Sequence, residues 1–169
     1  MATAAEMAAL KAVVPAAQAA QRKYGVPASV TLAQWIFEST WGTSKLSLAA
    51  RNYFGIKARQ AAIPSSYVEF PTVEYENGER VIVEALFEKY PDEQSSFDAH
   101  ARLLSTAGRY QMAMKNAANP NNFAVCLQTA GYSTNPQYAS LLTEAMRDYN
   151  LCQYDLPPDG PAQVQEVAA

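Results

Sequence analysis

VEFPTVEYENGERVIVEALFEKY, residues 68–90, interrupts a chain that otherwise reads as helices. β-Branched and aromatic side chains crowd 68–75 and 80–90, which is the composition of strands. Asn77-Gly78 lies between the two runs. That pair favours a two-residue type I′ turn, because both central positions need positive φ. The segment is therefore expected to be a β-hairpin. With Asn77 and Gly78 as turn residues, Glu76 faces Glu79, Glu74 faces Val81, Thr72 faces Val83 and Phe70 faces Ala85. Side chains alternate along a strand, so one face carries Val68, Phe70, Thr72, Glu74, Val81, Val83, Ala85 and Phe87. The other carries Glu69, Glu84 and Glu88 with Arg80 and reads as solvated. Glu74 is the one acid inside the apolar stripe. Such a conflict with the local pattern is expected at functional sites; the alternative is a hairpin tip that projects into solvent. A one-residue slip in register would exchange the faces.

Helical patterns flank the hairpin on both sides. Before it, Ala4–Tyr24 has Leu10, Val13, Val14 and Ala17 at helical spacing, with Pro15 as a kink or restart and Gly25 as a stop. Ser29 reads as the N-cap of a second helix that runs to about Thr40, with Leu32, Ala33, Ile36 and Phe37 as its apolar positions and Gly42 as its end. The stretch 44–63 is less regular. After the hairpin, Ser95 or Ser96 reads as the cap of a helix through Leu104. A further helix is expected over 123–130, closed by Gly131, then a turn at Asn135-Pro136. A last helix spans 138–149, with Leu141, Leu142, Ala145 and Met146 facing inward. Pro157, Pro158, Gly160 and Pro161 mark a flexible end. The expectation is an α+β, mainly helical fold with a small inserted β lobe. A single domain is expected over 1–154, with a tail over 155–169.

Hydrophobic residues make up 49% of the chain and charged residues 17%, so it reads as globular rather than disordered. The 169 residues suffice for one domain with a real core. A formal net charge of −3 argues against nucleic acid as a partner, since phosphate binding needs clustered Lys and Arg. No stretch approaches the roughly 18–20 apolar residues of a membrane span. No positive start followed by an apolar block is visible, so no signal peptide is expected in this chain. Cys126 and Cys152 form no CxxC pair, and His100, the one histidine, is near neither in sequence. No metal site and no cofactor are therefore expected. The two cysteines leave open one disulfide or two unlinked thiols. Nothing in the sequence suggests more than a monomer.

FESTWG, residues 37–42, carries the strongest candidate for chemistry. Glu38 stands near the end of a largely apolar helix with Trp35, Phe37 and Trp41 close in sequence, and Gln34 and Trp35 lie one turn earlier on its face. Burial against apolar surface disfavours a charged carboxyl and raises its pKa, which suits a general acid. The alternative is an ordinary exposed glutamate at a helix end. Glycoside hydrolysis commonly pairs such an acid with a second carboxylate, for which Glu74 is the candidate. Tyr110, Tyr132, Tyr138 and Trp41 offer aromatic faces to a sugar, with core packing as the commoner fate of any one of them. GYSTNPQY, residues 131–138, joins two of those tyrosines to Thr134 and an Asn-Pro turn at the mouth of a helix. His100 reads as structural. No Gly-rich phosphate loop and no Ser-His-Asp order is present.

VTLAQWIFESTWGTSKLSLAARNYFGIKA (30–58), TVEYENGERVIVEALFEKY (72–90) and GYSTNPQYASLL (131–142) together resemble glycoside hydrolase family 73. These are endo-β-N-acetylglucosaminidases of bacterial autolysins, phage lysins and flagellar peptidoglycan hydrolases. The resemblance covers roughly residues 15–150, and three separated motifs in order are far more specific than one. It implies a lysozyme-like fold, a helical lobe and a β lobe flanking a glycan groove. It implies that Glu38 is the catalytic glutamate of the ESxWG motif and that Glu74 matches a second glutamate in the flagellar enzymes. Tyr132 and Tyr138 match the GYxTxPxY motif. Tyr110, after Arg109, falls where an aromatic is common near the site, and Asn52 is matched as a structural or substrate-side residue. The implied partner is the glycan strand of peptidoglycan, met in the periplasm, outside the cell or at the cell wall. A lytic transglycosylase and a non-catalytic glycan-binding module are the rival readings. Trp35 and Phe37 are bulkier than the residues usual beside this motif, and Thr40 stands where glycine is frequent.

Overall fold

The computed structural model describes residues 2–58, 66–76 and 79–157, and leaves the side chains of 73–80 undescribed. Helices α1 (Ala4–Tyr24), α2 (Ala28–Ser39) and α3 (Lys45–Ala50) precede a hairpin of β1 (Tyr67–Glu76) and β2 (Glu79–Glu88). Helices α4 (Glu93–Thr106), α5 (Gln111–Lys115), α6 (Pro120–Thr129) and α7 (Tyr138–Asp148) follow, with short 3-10 turns at Gly108–Tyr110 and Leu151–Tyr154. The fold is mainly helical with one two-stranded antiparallel sheet, as the sequence pattern implies.

Helix α1 starts at a capping box, in which Thr3 accepts from the Glu6 amide and Glu6 accepts from the Thr3 amide. It ends at Gly25 in the left-handed region, and Pro15 sits inside it without dividing it. Every residue from Ala28 to Ile36 is buried, so α2 forms the centre of the fold and meets solvent only in its last turn, at Phe37 and Glu38. Around it Leu10, Val13, Phe97, Leu104, Phe123 and Leu142 complete the core.

Ser29 is not the N-cap of α2. Pro27 holds that position and offers no side-chain acceptor. The cap comes instead from Asp155, whose carboxylate accepts from the Ser29 amide and the Ser29 hydroxyl, both at 2.7 Å. Gln18 donates to the Tyr154 carbonyl, and Gln21 exchanges two hydrogen bonds with the Leu156 backbone. The first residues of the expected tail are thus tied to the body; residues 158–169 lie outside the described residues. Helix α4 is likewise capped by Asp92, which accepts from the Ser95 amide, and not by Ser95 or Ser96. Cys126 and Cys152 are free thiols.

The hairpin has the expected register, with Glu74 opposite Val81 and Glu76 opposite Glu79. Its faces divide as the alternation requires in the middle of the strands, while at the base the expected solvated face is half-buried at Tyr67, Leu86 and Glu88. Val68, Phe70, Thr72, Val83 and Ala85 are half-buried and Phe87 is buried, whereas Glu69, Pro71 and Glu84 are exposed and Ile82 is 67% exposed. The turn residues Asn77 and Gly78 lie outside the described residues. The base of the hairpin is held by the NYFGIK segment. Lys57 bridges to Phe87, Glu88 donates its amide to the Ile56 carbonyl, and Ala58 donates to the Leu86 carbonyl.

Candidate active site

The site is built where α2 stops. Thr40, Trp41 and Gly42 all have positive φ, at 52°, 57° and 79°, so the chain reverses within three residues. Ser39 locks the reversal by donating to the Trp35 carbonyl and accepting from the Gly42 amide. A Cβ on Gly42 would lie 2.9 Å from the Trp35 ring, so this position needs glycine for its space as well as its φ. The Trp41 ring turns inward and meets Trp35 and Tyr149 edge-on, at 6.3 and 5.1 Å.

This reversal leaves Glu38 at an open rim facing α7. Tyr138 donates its hydroxyl to Glu38 Oε1 at 3.1 Å, and Gln34 Nε2 donates to the same Tyr138 oxygen at 2.8 Å. Glu38 touches solvent along its surface, yet protein flanks it closely enough that lost hydration raises its pKa above the usual carboxylate range, against the lowering effect of Tyr138. Of the aromatic neighbours in sequence, Trp35 fills the core and Phe37 is 42% exposed.

Tyr138 is 5% exposed and stacks on Tyr132, with centroids 5.5 Å apart and an interplanar angle of 19°. Tyr132 in turn meets Tyr110 at 5.9 Å and the edge of His100 at 6.2 Å. Burial and the nearby Glu38 charge push the Tyr132 and Tyr138 hydroxyls far above the ordinary phenol range, so both stay protonated donors. His100 stacks on Phe54 at 4.0 Å, and burial lowers its pKa to about 3. It is therefore a neutral wall of the cluster. The Arg109 guanidinium lies 4.7 Å over the Tyr110 ring.

The candidate residues fall into four groups. Glu38, Tyr132 and Tyr138 come together, with Tyr110 as a backing at 1% exposure. Asn52 is 1% exposed and spends its amide on the fold, donating to the Ile56 and Glu88 carbonyls and accepting from the Ile56 amide. Of its two expected roles, this conformation shows the structural one, pinning the hairpin base. Trp41 packs against Tyr149, and Thr134 is exposed in the loop before α7. The Glu74 backbone is in β1; its side chain lies outside the described residues. Gln34 was not among the candidates. Its signal was present: an amide four residues before Glu38, in a helix otherwise buried and apolar, demands a specific partner. Among the described residues no group of three or more His, Cys, Asp or Glu is placed to hold a metal ion.

A family model described as mannosyl-glycoprotein endo-beta-N-acetylglucosaminidase matches residues 14–151. The exo-glucosaminidase LytG of Bacillus subtilis is 37% identical over 143 residues, which are 82% of this chain and 50% of LytG. The peptidoglycan hydrolase FlgJ of Pseudomonas aeruginosa is 36% identical over 144 residues, 83% of this chain and 36% of FlgJ. The chain thus spans half or less of these relatives. Among solved structures, the catalytic domain of the autolysin Auto from Listeria monocytogenes aligns with a TM-score of 0.80 at 29% identity, covering 92% of this chain and 90% of that one.

Proposed function

Because the chain belongs to the glucosaminidase family, glycoside hydrolase family 73, we propose that it is a peptidoglycan hydrolase with Glu38 as its general acid. The bond cut is the β-1,4 link between N-acetylglucosamine and N-acetylmuramic acid. The observation that carries this reading is the Glu38 carboxyl itself, fixed by the Tyr138 hydroxyl and shifted toward its protonated form by lost hydration, which outweighs the opposite effect of that hydrogen bond. A carboxyl shifted in that direction suits protonation of a leaving glycosidic oxygen. As Glu38 gives up that proton, the Tyr138 hydroxyl is in place to stabilise the carboxylate that forms. Glu74 is the second carboxylate, either activating water or assisting attack by the substrate's own N-acetyl group. Wide separation of the two carboxyls corresponds to an intervening water, and close approach to a nucleophile. The aromatic faces of Tyr132 and Trp41 and the hydroxyl of Thr134 are proposed sugar contacts. The enzyme acts outside the cytoplasm on wall glycan, as a monomer with one catalytic domain.

The test is Glu38→Gln and Glu74→Gln on purified wall, with the new ends identified by mass spectrometry. Reducing N-acetylglucosamine ends support the reading. Anhydro-muramic ends indicate a lytic transglycosylase, and binding without release of reducing ends indicates a glycan-binding module. Near-normal activity of Glu38→Gln overturns the assignment. Fragment sizes separate internal cutting, as the family description has it, from cutting at chain ends, as the name of LytG has it.

A further inference from the structure

A cavity of about 460 Å³ lies between the base of the hairpin and α4, a size usual for a small-ligand site. Ile56, Lys57 and Glu88 line it from the hairpin side, and Arg102 and Leu103 from α4. Ile56 and Leu103 are half-buried and give it an apolar wall, and Arg102 is exposed. Among the described residues the Arg102 guanidinium has no hydrogen bond and no ion pair, although Tyr90 lies near enough to feel its charge. Glu88, the acid that lines the cavity, is engaged elsewhere: its Oε2 accepts from the Tyr90 hydroxyl at 2.6 Å. An arginine left without a carboxylate beside an apolar wall is suited to receive one, because its planar fork matches a carboxylate with two hydrogen bonds.

The cavity borders the row of rings that leads to Glu38. His100 lies on α4 between two of its lining residues, Ala99 and Leu103, and its edge meets Tyr132, which stacks on Tyr138. Further along the chain, Arg109 covers the Tyr110 ring, and its charge reaches Tyr132. Arg102 and Arg109 thus make this side of the site positive in a chain of net charge −3. The N-acetylated rings of a wall glycan are uncharged. Its negative charge lies on the side arm of each muramic acid, as a lactyl carboxylate where the arm is bare and as peptide carboxylates where a stem is attached. A protein of net negative charge repels such an arm unless cations stand where it is seated. We propose that the cavity is a subsite for this side arm, in which Arg102 binds the carboxylate and Ile56 and Leu103 face the neighbouring methyl group. Arg109 extends the positive wall from there toward Glu38.

The inference rests on the reading of the chain as a peptidoglycan hydrolase with Glu38 as its acid. It is tested by KM and kcat on soluble glycan strands from purified wall, with stems attached and after an amidase has stripped them. Each form is also used with its carboxylates converted to methylamides. Arg102 is exposed and unpaired, so replacing it costs the fold little. Arg102→Gln is expected to raise KM about three- to tenfold on carboxylate-bearing strands with kcat unchanged. On methylamide strands parent and variant should share one KM. Added salt should weaken the parent more than the variant on charged strands. Arg102→Lys, which keeps the charge and loses the fork, should fall between them. An effect confined to stem-bearing strands assigns the carboxylate to the peptide, and an effect that includes stripped strands shows that the lactyl carboxylate suffices. A KM unchanged by Arg102→Gln, or raised equally on charged and methylamide strands, overturns the inference. Failure of the underlying reading looks different: Glu38→Gln then cleaves as the parent does.

Discussion

The two ends of α2 each carry a carboxyl group whose pKa is raised by burial, and they do opposite things with it. At the N-terminal end Asp155 caps the helix with two hydrogen bonds to Ser29. Positive helix-end charge and orphan amides favour an anion there. At the C-terminal end Glu38 accepts one hydrogen bond, from Tyr138, beside carbonyls that disfavour an anion. The backbone differs in the same sense. The first turn is satisfied, whereas the last passes into three successive left-handed residues. The same functional group thus serves as a fastening where the helix supports its charge. It is suited to act as an acid where the helix opposes that charge.

The widest separation between the two ends should appear in activity. Glu38→Gln is expected to lower kcat on purified wall by about 10²–10⁴-fold, the usual worth of a general acid. It should leave the fold intact by circular dichroism. Asp155→Asn is expected to keep near-parent activity per folded molecule, since the amide oxygen still caps Ser29. If both substitutions abolish cleavage to the same extent, the contrast between fastening and acid is lost.

Stability should separate the ends in the other direction. Asp155→Ala removes the cap and leaves the Ser29 amide and hydroxyl without their acceptor. The expected cost is about 1–2 kcal/mol in urea unfolding, with kcat unchanged below the transition. A cost near zero would show that the segment carrying Asp155 does not anchor α2 in solution.

How far these features could be read from sequence depends on how local their causes are. The strand pairing of the hairpin was legible, because Asn77-Gly78 and the two-residue alternation sit within one stretch and fix each strand residue's partner. The acid Glu38 was legible as a candidate, but its hydrogen-bond partner was not, because Tyr138 lies 100 residues away. The N-cap of α2 failed for the same reason: Ser29 has the right side chain, but Asp155 arrives from 126 residues downstream and uses Ser29 as a donor. Asn52 and Gln34 illustrate a middle case. Each is a buried amide that must have partners, and only the fold decides whether those partners belong to the scaffold or to the site.

A smaller effect is expected at Thr40. A β-branched residue at φ 52° is held in a region that costs L side chains about 1–2 kcal/mol. Glycine has no such penalty but loses more chain entropy on folding. Thr40 is exposed, so little packing is lost. Thr40→Gly should therefore raise stability by about 1 kcal/mol or less, read as an increase in the denaturation midpoint at unchanged slope. Should it destabilise instead, the left-handed end of α2 is not strained, and the contrast with the capped end weakens.

The finest distinction lies in pH dependence. A carboxyl whose folded pKa is raised binds more protons in the folded state than in the unfolded one, between its ordinary pKa and its raised one. Stability therefore falls as pH rises through that window, and the loss is complete above the raised pKa. Glu38 follows this rule, so its charged form opposes folding. Glu38→Gln is expected to be slightly more stable than the parent at pH 7, and the gain should disappear as the pH falls below the ordinary carboxylate range. Asp155 has the same direction of shift, but its cap is retained only by a side chain that still accepts from Ser29. Asp155→Asn should then show the same sign as Glu38→Gln, whereas Asp155→Ala is destabilised at every pH. Thermal unfolding of the three variants between pH 3 and pH 7 tests this. A gain for Glu38→Gln that persists at the acid end would mean that desolvation of the charge is not its source, and the feature proposed to keep Glu38 protonated would have to be sought outside α2 and α7.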